Sequence, residues 1–167
     1  MKNFELRNIT WENWEECIEL QVTEEQDDFI ASNDYSLAQA YVATLNDKRP
    51  PFTFAIYHGD VIIGFTMFYY QDHEINDGSE YEELPCYTIL RFMIDKQYQN
   101  QGLGKMAMQK VLEYIKSFPH GKASSIYLSY NPKNQVARHL FCSVGFVETG
   151  QLTSDEEDAE IVAKLLI

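Results

Sequence analysis

Apolar residues alternate with Glu5 and Arg7 from Phe4 to Ile9, the period of a strand with one covered face. The period then changes. Trp14, Cys17, Ile18 and Val22 recur at helical spacing, and a second helix is predicted to begin near Ser36, with Leu37, Ala40, Tyr41 and Thr44 on its inner face. The acidic segment TEEQDDF lies between the two. PFTFAIYH and VIIGFTMFYY are β-rich runs joined by Gly59-Asp60, a hairpin signal, and the polar stretch QDHEINDGSEYEELP that follows reads as a long loop. CYTILRFMID is another strand. From Gly104, Met108, Val111, Leu112, Ile115 and Phe118 repeat at three and four, a helix stopped by Pro119 and Gly121. SSIYLSY is a strand, NQVARHLFCSVG a short helix closed by Gly145, and FVETGQL and AEIVAKLLI are two last strands. The order predicts an α/β chain: a mixed sheet with helices on its faces.

No repeat, low-complexity tract or linker interrupts the 167 residues, so one domain over 1–167 is expected, long enough to bury a core of its own. The three cysteines form no CxxC pair, which argues against a zinc site or a disulfide framework and for a reduced, cytoplasmic protein. The opening MKNFELRNITW lacks the apolar run of a signal peptide, and VIIGFTMFYY is too short to span a bilayer. A net charge of −13 argues against nucleic acid as a partner and would attract cations.

The stretch QNQGLGK, residues 99–105, sits at a turn from strand to helix, where backbone N–H groups and the helix dipole favour an anion. A Walker loop needs Ser or Thr after the lysine, and Met106 follows Lys105. A dinucleotide fingerprint is formally matched by Gly102, Gly104 and Ala107, yet SSIYLSYN offers no acid at the next strand end for a ribose.

RFMIDKQYQNQGLGKMAM is similar to the acetyl-coenzyme A signature of the GNAT N-acetyltransferases, with Gln99, Gly102 and Gly104 on its Q/R-x-x-G-x-G/A pattern. NPKNQVARHLFCSVGF resembles the family's later motif through Asn131, Asn134, Ala137, Phe141, Gly145 and Phe146. Between Trp11 and Tyr41, residues Gln26, Phe29, Ser32, Asn33, Ser36, Leu37 and Ala38 match the opening of bacterial diamine and polyamine N-acetyltransferases. The resemblance implies the GNAT fold, a mixed, mostly antiparallel central sheet flanked by helices on both faces. It also implies acetyl-coenzyme A as cofactor and a small cationic amine such as spermine or spermidine as acceptor, and leaves room for a homodimer.

On that resemblance, the cofactor residues would be Phe92, Met93 and Ile94 of the strand, the loop and helix start Gln99, Asn100, Gln101, Gly102, Leu103, Gly104, Lys105 and Met106, and Asn131 and Asn134. Asn134 also suits a helix N-cap. A polycation is held best by several carboxylates, for which Glu24, Asp27 and Glu82 are substrate candidates, and Glu25, Asp28 and Glu83 candidates for the base. Phe141 stands where many relatives carry the tyrosine assigned as the acid for the departing thiolate. Protein N-termini or lysines, small cationic drugs, or cofactor binding without transfer are the alternatives.

Overall fold

The structure, a computed structural model, describes residues 3–46, 50–74 and 83–167. Among them the chain runs β1 (Phe4–Asn8), α1 (Trp14–Glu19), a 3-10 turn (Glu24–Phe29), α2 (Asn33–Asn46), β2 (Phe52–His58), β3 (Val61–Gln71) and β4 (Cys86–Ile94). A second 3-10 turn (Lys96–Tyr98), α3 (Leu103–Lys116), β5 (Ser125–Tyr130), α4 (Gln135–Ser143), β6 (Val147–Leu152) and β7 (Ile161–Leu166) complete it. The element order is the expected one. Two boundaries differ by three residues: α2 starts earlier, at Asn33, and α1 stops at Glu19, short of Val22. The physical reason for the second is tertiary. Gln21 N–H donates to Asp95 Oδ2 at 2.9 Å and Gln21 C=O accepts from Lys96 N–H at 2.7 Å, so the chain is drawn out toward the end of β4 instead of continuing as helix.

Seven strands form one sheet in the order β1-β2-β3-β4-β5-β7-β6. Every neighbouring pair is antiparallel except β4 and β5, which are parallel and joined by the crossover helix α3. α3 and α4 cover one face over a core that includes Phe54, Ile56, Phe68, Met108, Ile115 and Leu128. α1 and α2 cover the other, over Cys17, Ala40, Ala55, Tyr57, Phe65 and Met67. The central strand β3 is covered on both sides, which explains its unbroken apolar run.

A bulge in β4 shapes everything that follows. Phe68 pairs with Ile89 and Met67 with Arg91, leaving Leu90 as an extra residue. The extra residue reverses the in/out alternation: Ile89 and Ile94, an odd number of positions apart, join the same core, while Met93 turns to the α1/α2 face. At the same place the pairing with β5 ends, at Ile89 with Leu128. Beyond it the two strands part.

Candidate functional site

The parted strands open a cleft of ≈ 330 Å³ lined by Ile89, Phe92, Met93 and Ile94 of β4 and Leu128, Ser129 and Tyr130 of β5. Because β5 leaves, the β5-facing edge of β4 past Ile89 has no strand beside it.

One wall is the start of α3. Gly102 occupies its N-cap with φ +76°, the left-handed conformation that favours glycine, and Asn100 before it also has positive φ at 59°. The first N–H groups of the helix have no intrahelical acceptor and face an anion well. The two glycines serve different ends. A Cβ on Gly102 would meet nothing within 4 Å, so glycine is needed there for backbone conformation. A Cβ on Gly104 would lie 3.8 Å from Ile94 Cγ1 and 3.9 Å from Leu140 Cδ1, so a longer side chain would grow between the cleft wall of β4 and that of α4. Lys105 also lines this wall.

The second wall is α4, whose Val136, Ala137, Leu140 and Phe141 present an apolar strip. Asn134 caps this helix, its Oδ1 accepting from Ala137 N–H at 3.0 Å, and it lines the cleft as well. The Phe141 ring packs 5.7 Å from that of Tyr130 and 6.1 Å from that of Phe146. Tyr130 donates its hydroxyl to Glu148 Oε1 at 2.6 Å, and Arg138 Nε reaches the same oxygen at 2.8 Å. Burial and the Glu148 carboxylate push the Tyr130 hydroxyl well above the ordinary tyrosine range, while Tyr130 and Arg138 hold Glu148 below the usual carboxylate range.

The third wall is the 3-10 turn of TEEQDDF and the residues beside it. Val22, Gln26, Phe29 and Ile30 face the cleft, while Glu24, Glu25, Asp27 and Asp28 are exposed on its outer side. The turn is fixed from across the chain. Asp95, only 3% exposed, accepts from Gln21 N–H with one oxygen and from Gln97 N–H with the other, and Gln99 Nε2 donates both to Gln26 Oε1 at 2.8 Å and to Ile94 C=O at 2.9 Å.

The structure thus gathers Phe92, Met93, Ile94, Gln99, Asn100, Gly102, Gly104, Lys105, Asn134 and Phe141 around one cleft. Gln101 is exposed and bonds Gln97 C=O, Leu103 packs into the core, Met106 is 49% exposed, and Asn131 braces its own loop by accepting from Lys133 N–H. Glu83 is exposed and ion-paired with Lys164 at 2.7 Å, and it is not in the cleft wall. Glu82 lies outside the described residues. Sequence reasoning passed over Asp95, although an Asp two residues before Gln97 is a good cap for a short turn. It also passed over Ser129 and Glu160, whose side chains bond each other across strands and left no local signal.

The acetyltransferase (GNAT) family model matches residues 4–146. A probable spermine N(1)-acetyltransferase of Bacillus subtilis subsp. natto (strain BEST195) is 28% identical over 155 residues, 91% of this chain and 93% of that protein. Among solved structures, an aminoglycoside acetyltransferase in complex with coenzyme A superposes with TM-score 0.76 at 15% identity, over 98% of this chain and 95% of that one. The spermidine N-acetyltransferase from Vibrio cholerae, in complex with CoA and spermine, gives TM-score 0.68 at 19% identity, over the same shares of the two chains. Among the described residues no helix is long and apolar enough to cross a membrane, and no group of His, Cys, Asp and Glu could hold a metal ion.

Proposed function

The chain belongs to the acetyltransferase (GNAT) family, and on that premise we propose that it transfers acetyl directly from acetyl-coenzyme A to a primary amine of a small polycation, a polyamine such as spermidine first among them. The observation that carries this reading is the parting of β4 from β5 onto the glycine-built start of α3. It leaves a free strand edge, an anion-favouring helix terminus and an apolar strip on one cleft.

The residues fit acetyl-coenzyme A, because the room kept open at Gly104 is where a side chain would obstruct it. When bound, it supplies an activated acetyl thioester. The amides from about Gln101 to Lys105 would take its pyrophosphate, Ala137 and Leu140 would flank its arm, and backbone N–H groups of β4 beyond the bulge would polarise its thioester carbonyl. Gln26, Phe29 and Ile30 form the opposite wall, where the acceptor enters.

An alkyl ammonium titrates near 10.4, so presenting a neutral amine at pH 7 costs about 4–5 kcal/mol. A carboxylate would relay that proton through water; Glu25 and Asp28 are the candidates that flank the acceptor wall in sequence, and both lie on the exposed outer side of its turn. Neither Phe141 nor Tyr130 offers a proton to the leaving group, the first for lack of one and the second because Glu148 holds it. A thiol of Cys-like acidity near 8.5 leaves with only modest help. The spermine N(1)-acetyltransferase relative supports a polyamine acceptor. None of the three cysteines is in a disulfide, and Cys17 and Cys86 are buried, which suits a cytoplasmic setting.

Thiol release from acetyl-coenzyme A with spermidine, spermine, an aminoglycoside and a peptide N-terminus tests the reading. Spermidine or spermine should turn over with the highest kcat/KM; preference for the peptide or the aminoglycoside would replace the acceptor, and no release with any amine would leave a binding module.

A further inference from the structure

Ser129 lies on the face of β5 opposite Leu128 and Tyr130, which belong to the α3/α4 core. Its side chain therefore faces the acceptor side of the cleft, the side of α1 and α2. There its Oγ donates a hydrogen bond to Glu160 Oε2. Strand register places Glu160 just outside the cleft lining, next to Ser129 and Tyr130 where that lining ends, because Tyr130 pairs with Ile161 and Glu160 immediately precedes it. The position is fixed rather than adventitious: Glu160 N–H donates to Thr153 Oγ1 at 3.0 Å and Glu160 C=O accepts from Thr153 N–H at 3.0 Å.

A half-buried carboxylate needs compensation, and one hydroxyl donor supplies only part of it. The ion pairs formed among the described residues, such as Arg138 with Glu148 and Lys164 with Glu83, do not include Glu160. The cation whose charge it feels, Arg91, does not bond it: Nη1 donates to Leu90 C=O at 2.9 Å, Nη2 to Gln39 Oε1 at 3.1 Å, and the buried Nε has no partner among the described residues. Arg91 also makes the inner end of this face hostile to a second positive charge. The remaining charges of an extended acceptor must then point outward, past Glu160, over the exposed acids Asp155, Glu156, Glu157 and Asp158 of the β6–β7 connection.

We propose that Glu160, oriented by Ser129, is the specificity-determining carboxylate that binds an ammonium group of the acceptor at the mouth of the cleft. The assignment rests on the acetyltransferase reading above and names a residue far from the acidic segment between α1 and α2.

The test compares wild type, Glu160→Gln and Ser129→Ala with spermidine and with aniline, which is uncharged at pH 7, together with acetyl-coenzyme A affinity by calorimetry. A hydrogen bond to a charged group corresponds to a loss of roughly ten- to a hundredfold. Glu160→Gln should raise the spermidine KM by about that factor, flatten its dependence on salt, and leave kcat with aniline and the cofactor affinity within about twofold. Ser129→Ala should shift the spermidine KM in the same direction by less. An unchanged spermidine KM, or an equal loss with aniline, overturns the assignment. If wild type rejects spermidine but accepts another polycation, the polyamine reading fails while Glu160 is judged on that amine by the same comparison. If wild type prefers aniline to every cationic amine, both fall.

Discussion

Gln99, at the start of the glycine stretch, donates one side-chain amide to Gln26 Oε1 at 2.8 Å, so the loop that approaches the helix start and the turn that walls the acceptor side are bonded across 73 positions of sequence. The same nitrogen bonds Ile94 C=O, closing β4, loop and turn into one clasp. Gln99→Ala should therefore disturb acceptor binding as well as cofactor binding. A double-mutant cycle of Gln99→Ala with Gln26→Ala on thermal stability should give a coupling of about 0.5–1.5 kcal/mol. Strict additivity of the two variants would show that the bond contributes nothing.

The two glycines of the cleft should separate in experiment. Gly102→Ala forces φ +76° on a residue with a Cβ and should cost about 1–2 kcal/mol in urea unfolding. Gly104→Leu should leave the unfolding midpoint nearly unchanged and raise the acetyl-coenzyme A dissociation constant at least about tenfold, as expected when a side chain blocks close approach to a helix terminus. Equal effects of both variants on stability and binding would contradict the division of roles.

Phe141 lines the cleft where the family's tyrosine is expected, beside a Tyr130 whose proton Glu148 holds. Phe141→Tyr should raise kcat, by less than the ~10²–10⁴ of full general acid catalysis, with little change in cofactor affinity. Tyr130→Phe should leave kcat and its pH profile unchanged while costing about 1–2 kcal/mol of stability through the orphaned Glu148 bond. A drop in kcat for Tyr130→Phe would make that hydroxyl the acid after all.

His120, at the turn after α3, stacks on Phe52 with ring centroids 3.3 Å apart, and its Nε2 is buried without a partner among the described residues. Burial lowers its pKa below the ordinary histidine value near 6.5. The unfolded chain thus takes up the proton first, so this contribution to stability is complete above about pH 6.5 and is lost as pH falls below it. Urea unfolding at pH 7.5 and pH 5 should show a smaller loss for His120→Phe than for wild type; identical losses would place the acid sensitivity elsewhere.

Local periodicity and spacing determined a good deal by themselves. Strand and helix order, the Gly59-Asp60 hairpin, the N-cap of α4 by Asn134 and the glycine turn at Gly102 and Gly104 depend on neighbours a few residues apart, and the sequence carries those directly. Tertiary structure decided what depended on long-range pairing. The end of α1 at Glu19 is set by Asp95 and Lys96, more than seventy positions on. The bulge at Leu90, which puts Ile94 and not Met93 on the face of Ile89, follows from the register of β4 against β3. The acids of TEEQDDF were visible in the sequence, yet the turn exposes them and directs Gln26 and Phe29 into the cleft. Glu160 gave no signal at all, because what brings it to Ser129 is the register of β7 on β5, a sum of backbone bonds between segments 31 residues apart that no local pattern records.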